Sequence, residues 1–208
     1  MKDIIIVGAG GFGREAYYLL KRINSIKPTW NIKGFIDDNS HALDGLKCDC
    51  PIIGTISHWI PNNNEFLAMG ISSPQTKEKV VKLLKSRGGR FATLISPHVP
   101  IDDYTNIGEG CIITGISIGD NVTIGNFVHV AGSMIGQDVE IGDYTTSTGF
   151  VNITPSKIGK RVFIGSHSVI LNGVKVGDDA FICAGSIVLR NVKAGTKVIG
   201  YPAKQIDI

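Results

Sequence analysis

Two groups of residues in this 208-residue chain have the types and spacing to do chemistry. Near the start, Gly8-Ala9-Gly10-Gly11-Phe12-Gly13 has the Gly-x-Gly-x-x-Gly spacing. Such a turn lets backbone N–H groups and a helix N-terminus face a phosphate. Some two dozen positions further on, Asp37-Asp38 offers carboxylates that can accept hydrogen bonds from a ribose or a base. Gly70, Ile71 and Ser72 close another apolar run and fall at the same edge. The second group is the five histidines. An imidazole exchanges protons near neutral pH, so each is a general-base candidate until its position excludes it. His41 and His58 fall in loops of the N-terminal third, and His98 falls in a junction turn after Ile95-Ser96-Pro97. His129 and His167 lie within the patterned second half.

The elements that position these residues come in two kinds. Ile4 to Val7 is a short apolar run, as in a strand buried on both faces of a parallel sheet. The glycine turn and a helical pattern through Ala16, Leu19, Leu20 and Ile23 follow it. Further strands are expected at Ile32 to Ile36, Phe66 to Gly70 and Phe91 to Ile95, with a helix from Gln75 to Ser86. This α/β, Rossmann-like sheet ends after roughly ninety residues with no second mononucleotide half, which suits one nucleotide better than NAD or FAD. From about Ile107 to Val188 one phrase repeats: Ile-Gly-Asp, Ile-Gly-Asn or a close variant. Its inward phase advances by six residues, with five-residue steps at 113 to 118, 130 to 135 and 153 to 158. Neither an amphipathic helix nor a single strand has this period. It predicts a parallel β-helix of about five coils, three hexapeptides per triangular coil, around a column of Ile and Val. The glycine after each aliphatic residue is expected at a corner with positive φ. The domains are expected at 1–94 and 95–208.

Hydrophobic residues make up 43% and charged residues 19%, a globular composition. A net charge of +3 without basic runs indicates no nucleic-acid partner. No apolar run reaches spanning length, so no membrane insertion is expected. Met1-Lys2-Asp3 leads straight into a strand and does not read as a signal peptide. The four cysteines follow no zinc or disulfide spacing, and a cytoplasmic protein with reduced thiols is expected.

Three segments together resemble one family: Val7 to Glu15 with Phe35-Ile36-Asp37-Asp38, the hexapeptide stretch Val162 to Val188, and Gly200-Tyr201-Pro202-Ala203-Lys204. They look like the sugar O- and N-acyltransferases grouped with sialic-acid O-acetyltransferases and bacterial nucleotide-amino-sugar N-acetyltransferases. The resemblance covers nearly the whole chain. It implies a left-handed β-helix, a homotrimer, and acetyl-CoA lying between adjacent β-helices as acyl donor, with no metal. It implies a nucleotide-linked sugar in the N-terminal domain, held by Gly8, Gly10, Gly11, Asp37 and Asp38, with Gly70, Ile71 and Ser72 beside them. It also implies a cofactor contact at Gly165, Ser166, Ala184 and Gly185, and a phosphate partner in Lys204. Surface glycan biosynthesis would be the setting.

One departure stands out. The family's basic histidine, in an Ile-Gly-His-Asp phrase, corresponds here to Gln137, followed by Asp138. An amide cannot take a proton near neutral pH. Either the base is supplied elsewhere, with His129 the leading candidate, or positioning alone drives the step, or the chain is a non-catalytic relative. His167 is expected to meet the cofactor or to pack against a neighbour. The other trimeric β-helix chemistry, that of γ-type carbonic anhydrases, needs three histidines on zinc, and His129 has no histidine at usable spacing.

Overall fold

The structure is a computed structural model and describes residues 1–207. The chain forms two compact units, Met1–Pro97 and His98–Ile208.

The first unit runs β1 (Lys2–Val7), α1 (Gly11–Ile26), β2 (Trp30–Ile36), β3 (Ile52–Gly54), β4 (Glu65–Met69) and α2 (Pro74–Ser86). Its parallel sheet has the order β3-β2-β1-β4. Ile4, Ile6 and Val7 of the central β1 are fully buried, as the unbroken apolar run requires. Helix α1 covers the sheet with Gly13, Ala16, Tyr17, Leu19 and Leu20. One expected strand moves. Phe91 to Ile95 makes only a bridge from Phe91 to Leu67 and a short strand at Leu94–Ile95, and the fourth strand is β3. Pro51-Ile52-Ile53-Gly54 is too short and apolar to show a period, and pairing with Phe35 and Ile36 decides its state.

The second unit is a parallel β-helix whose rungs stack into three flat faces. The expected inward column is realised: Ile141 pairs with Ile124 and Ile158, Val130 with Ile113 and Ser147, Ile135 with Ile118 and Ile153. The five-residue steps hold this register. Two faces have five rungs each, matching about five coils. One face presents Asn106, Thr123, Glu140, Lys157 and Lys175 outward and is the charged face. A second presents Ser117, Met134, Asn152, Val169 and Ile187 and carries no charge. The third presents Ile112, His129, Thr146, Phe163, Phe181 and Lys197.

The repeated glycine has a different reason from the expected one. Positive φ falls two residues later, at Asn121, Phe127, Asp138, Tyr144, Arg161, His167 and their equivalents. The glycine is required by the next coil. A Cβ on Gly125 would lie 2.6 Å from Asp143 Oδ1, and one on Gly142 2.7 Å from the Gly159 carbonyl carbon. The residue after the glycine explains the rest of the phrase. Asn126 N–H donates to Asp143 Oδ1 (2.9 Å), and Lys160 N–H donates to Asp178 Oδ1 (2.9 Å), so each carboxylate satisfies the coil before it.

Partial burial alone would raise the Asp143 carboxyl, but N–H donation from Asn126 and the Lys160 ammonium at 3.1 Å outweigh it and hold it below its ordinary value. A depressed carboxyl stabilises the fold above its unfolded value, and that contribution is lost as pH falls through the folded one. Asp143→Asn should therefore lower stability by about 1–3 kcal/mol at neutral pH. Its urea midpoint should converge with wild type in acid.

Candidate active site

In the first unit, β1, β2 and β4 all end at one edge of the sheet. The strand order reverses between β1 and β4, the place where open parallel sheets receive ligands. Gly8 turns the chain with φ +91°, Gly10 is the N-cap of α1, and Gly11 opens the helix. The four glycines expected to matter divide by cause. A Cβ on Gly10 or Gly11 would meet nothing within 4 Å, so open space lies over them. A Cβ on Gly70 would lie 2.6 Å from the Gly13 Cα, and Gly70 is buried beneath the turn. Its hydrogen is needed for packing. Ile71 and Ser72 beside it are half-buried.

The acidic pair also acts on the protein itself. Asp37 Oδ2 accepts the Ala9 N–H at 2.7 Å, and Oδ1 accepts the Asn39 N–H at 2.8 Å. Asp37 thus fixes the glycine turn, with one further lone pair on each oxygen. Asp38 Oδ1 accepts the Ser57 N–H at 2.9 Å and tethers the following loop. Sequence reasoning missed Arg14, whose Nη1 donates to the Ala9 carbonyl at 3.3 Å and sets a guanidinium against the turn. A cation in the first turn after a glycine motif was the available signal.

In the second unit the expected residues separate. Gln137 and Asp138 are exposed on the corner that follows the uncharged face, called here the trailing corner. Asp138 Oδ1 accepts from Asn121 Nδ2 at 2.6 Å, one coil earlier. Gly165, Ser166, Ala184 and Gly185 lie on the corner that precedes the same face, the leading corner. The structure does not bring these two groups together within one chain. His129 is fully buried, on a rung between Ile112 and Thr146, and is out of reach of a substrate approaching from solvent. His167, by contrast, is exposed on the leading corner and stacks on Phe150, with centroids 5.1 Å apart and planes 16° apart.

The trailing corner carries two cavities. One, of about 210 Å³, is lined by Asp138, Pro155, Ser156, Lys157, Gly173, Val174 and Lys175. Ser156 is 5% exposed, and its Oγ has no hydrogen-bond partner. The other, also about 210 Å³, is lined by Leu189, Arg190, Pro202, Ala203 and Lys204. The chain reaches it through the hairpin of Lys197–Gly200 and Ala203–Ile206. Lys204 therefore shares a cavity with Arg190, a second cation that the sequence pattern did not single out. Among the described residues, no three His, Cys, Asp or Glu side chains gather to hold a metal ion. No described helix is long and apolar enough to cross a membrane.

Residues 3–84 match the family model of the PglD N-terminal domain, and residues 99–130 and 155–190 match the hexapeptide repeat of succinyl-transferase. The chain is a PglD-type domain joined to a hexapeptide-repeat β-helix. Among curated proteins, none matches it. Solved structures share the whole architecture. WeeI from Acinetobacter baumannii AYE is 28% identical, with 99% of this chain and 100% of that one covered and a TM-score of 0.85. The acetyltransferase domain of PglB from Neisseria gonorrhoeae FA1090, in complex with acetyl coenzyme A, is 18% identical, with 99% of each covered and a TM-score of 0.85. A point variant of perosamine N-acetyltransferase from Caulobacter crescentus, in complex with CoA and GDP-perosamine, is 20% identical. It covers 100% of this chain and 98% of its own, with a TM-score of 0.86. The PglD-type domain is thus the unit with the glycine turn, and the left-handed hexapeptide β-helix is the unit with the two corners.

Proposed function

We propose that this protein is an acyltransferase that moves an acetyl group from acetyl-CoA to an amino or hydroxyl group of a nucleotide-linked sugar, in the cytoplasm, for surface glycan biosynthesis. The observation that carries the reading is the run of features down the trailing corner. Gln137 and Asp138 come first, then the cavity beside Ser156, then the cavity with Arg190 and Lys204. An elongated thioester with a phosphorylated end fits such a run. Arg190 and Lys204 pair with the phosphates, as a guanidinium and an ammonium do. Ser156 Oγ offers a donor or acceptor to the arm. In the PglD-type domain, Gly10, Gly11 and the first N–H groups of α1 receive the diphosphate, with Arg14 beside it. Asp37 and Asp38 use their remaining lone pairs on the ribose or base, and Ile71 and Ser72 line the edge. The sugar complex and the acetyl-CoA complex among the similar structures support both halves of the reading.

The test is thiol release from acetyl-CoA with nucleotide-linked amino sugars and hydroxyl analogues. Arg190→Ala and Lys204→Ala should each weaken acetyl-CoA about tenfold, and together about a hundredfold, with little change in kcat at saturation. Calorimetry showing unchanged CoA affinity in the double variant would remove the phosphate assignment. Gln137 keeps a second reading in view, a binding protein of the same fold without catalysis. Sugar binding with no thiol release in wild type would favour that one.

A further inference from the structure

Past the glycine turn and Asp37, the carboxyl edge of the PglD-type sheet continues to the loop that follows β3. The order β3-β2-β1-β4 places the end of β3 two strands from the end of β1. Neighbouring strands lie about 4.8 Å apart, so that loop stands about 10 Å from the glycine turn, with Asp37 between them. A nucleotide laid along the edge has its parts in the same order: phosphate, ribose, base. The other direction suits a base less well. There Gly70 is buried and Ile71 is apolar, and Ser72 is the first polar side chain.

The loop after β3 is held by a chain of bonds that runs from Asp37 to His58. Asp37 N–H donates to the Gly54 carbonyl at 3.0 Å and ties the two strand ends together. Asp38 Oδ1 takes the Ser57 N–H, and Trp59 N–H closes the turn on the Ile56 carbonyl. Ser57 Oγ lies 2.9 Å from His58 Nδ1, and Thr55 Oγ1 lies 3.1 Å from it. Two hydroxyls meeting on Nδ1 supply it with protons, so the neutral ring carries its own hydrogen on Nε2. Among the described residues, nothing donates to Asp38 Oδ2 and nothing accepts from His58 Nε2. One acceptor and one donor are thus left over, both fixed through Ser57.

We propose that Asp38 and His58 select the base of the nucleotide, and that they select one with a ring N–H beside a carbonyl. The inference rests on the nucleotide-sugar reading above. Asp38 Oδ2 accepts the ring N–H, and His58 Nε2–H donates to the neighbouring carbonyl oxygen. Uracil, thymine and guanine present that edge. Cytosine and adenine present a bare ring nitrogen beside an amino group, which sets a lone pair against the carboxylate and an N–H against the imidazole N–H. Asp37, one strand nearer the turn, is left to the ribose. Asp38 and His58 are both exposed, so water satisfies part of a mismatched edge. Discrimination should therefore be about tenfold, well short of the roughly 10⁴-fold that a buried polar site reaches.

Calorimetry on the full-length protein with UDP, dTDP, GDP, CDP and ADP tests the pair without requiring turnover. At least one of the first three should bind about tenfold tighter than CDP and ADP, and the leader identifies the base. Asp38→Asn keeps an oxygen for the Ser57 N–H and turns an N–H toward the base. It should weaken the leading nucleotide about tenfold and narrow the gap to CDP. His58→Ala removes an exposed ring and should melt as wild type does. It should weaken the same nucleotide by about three- to tenfold and leave CDP unchanged. CDP or ADP binding wild type as tightly as the other three would overturn the proposal. So would two variants that melt normally and keep the wild-type ranking and affinities. Wild-type protein that binds none of the five would instead overturn the nucleotide-sugar reading beneath it.

Discussion

His129→Ala is expected to lower stability by about 2–5 kcal/mol, the range for truncating a buried large side chain. The folded fraction should lose less than tenfold in kcat. The residue is fully buried, on a rung held on both sides by Ile112 and Thr146. A general base must come within hydrogen-bond reach of the proton it takes, directly or through one water, and typically contributes about 10²–10⁴-fold. A ring closed off from solvent meets no substrate, so its removal leaves a cavity and little else. Urea unfolding and turnover per folded molecule separate the two roles. A hundredfold loss of kcat with an unchanged unfolding midpoint would return His129 to the chemistry.

The inward column of the β-helix was legible because its cause is local and periodic. One aliphatic residue per rung leaves a phase that survives three shortened steps, and pairs such as Ile135 with Ile153 confirm it. The reason for the glycines was not legible. A sequence shows that a small residue is required but not whether φ or a neighbouring coil requires it, and here the Asp143 carboxylate decides. The burial of His129 depends on what covers its rung, and no pattern in its own segment reports that. The separation of Gln137 from Gly165 was open to arithmetic. Coils advance by 17 or 18 residues, and these positions are not a whole number of coils apart, so they fall on different corners. In the PglD-type domain the glycine turn and the strand ends were readable. Asp37 as a clamp on Ala9 was not, because a carboxylate after a strand suits a ligand and a backbone N–H equally well.

The glycine turn provides the sharpest contrast, since the same substitution three residues apart should have opposite outcomes. Gly13→Ala is expected to unfold the PglD-type domain, with a loss above about 4 kcal/mol. Its Cβ would overlap the Gly8 carbonyl oxygen and come within 2.8 Å of the carbonyl carbon. Neither can retreat. Gly8 N–H is bonded to the Ile36 carbonyl at 2.8 Å, and Gly70, packed on Gly13, bonds the Val7 carbonyl at 2.8 Å. Backbone pinned on both sides cannot yield as a flexible side chain can. At Gly10 the same methyl meets no protein atom within 4 Å, and the residue has φ −67°, which alanine adopts freely. Gly10→Ala should leave the unfolding midpoint within about 0.5 kcal/mol of wild type. If the open space above Gly10 is where a diphosphate approaches the helix N-terminus, the added methyl should weaken nucleotide-sugar binding by tenfold or more, about 1.4 kcal/mol. Thermal melts and titration with UDP-, GDP- and dTDP-linked sugars measure both. A Gly10→Ala protein that melts normally and binds normally would move the diphosphate off the turn.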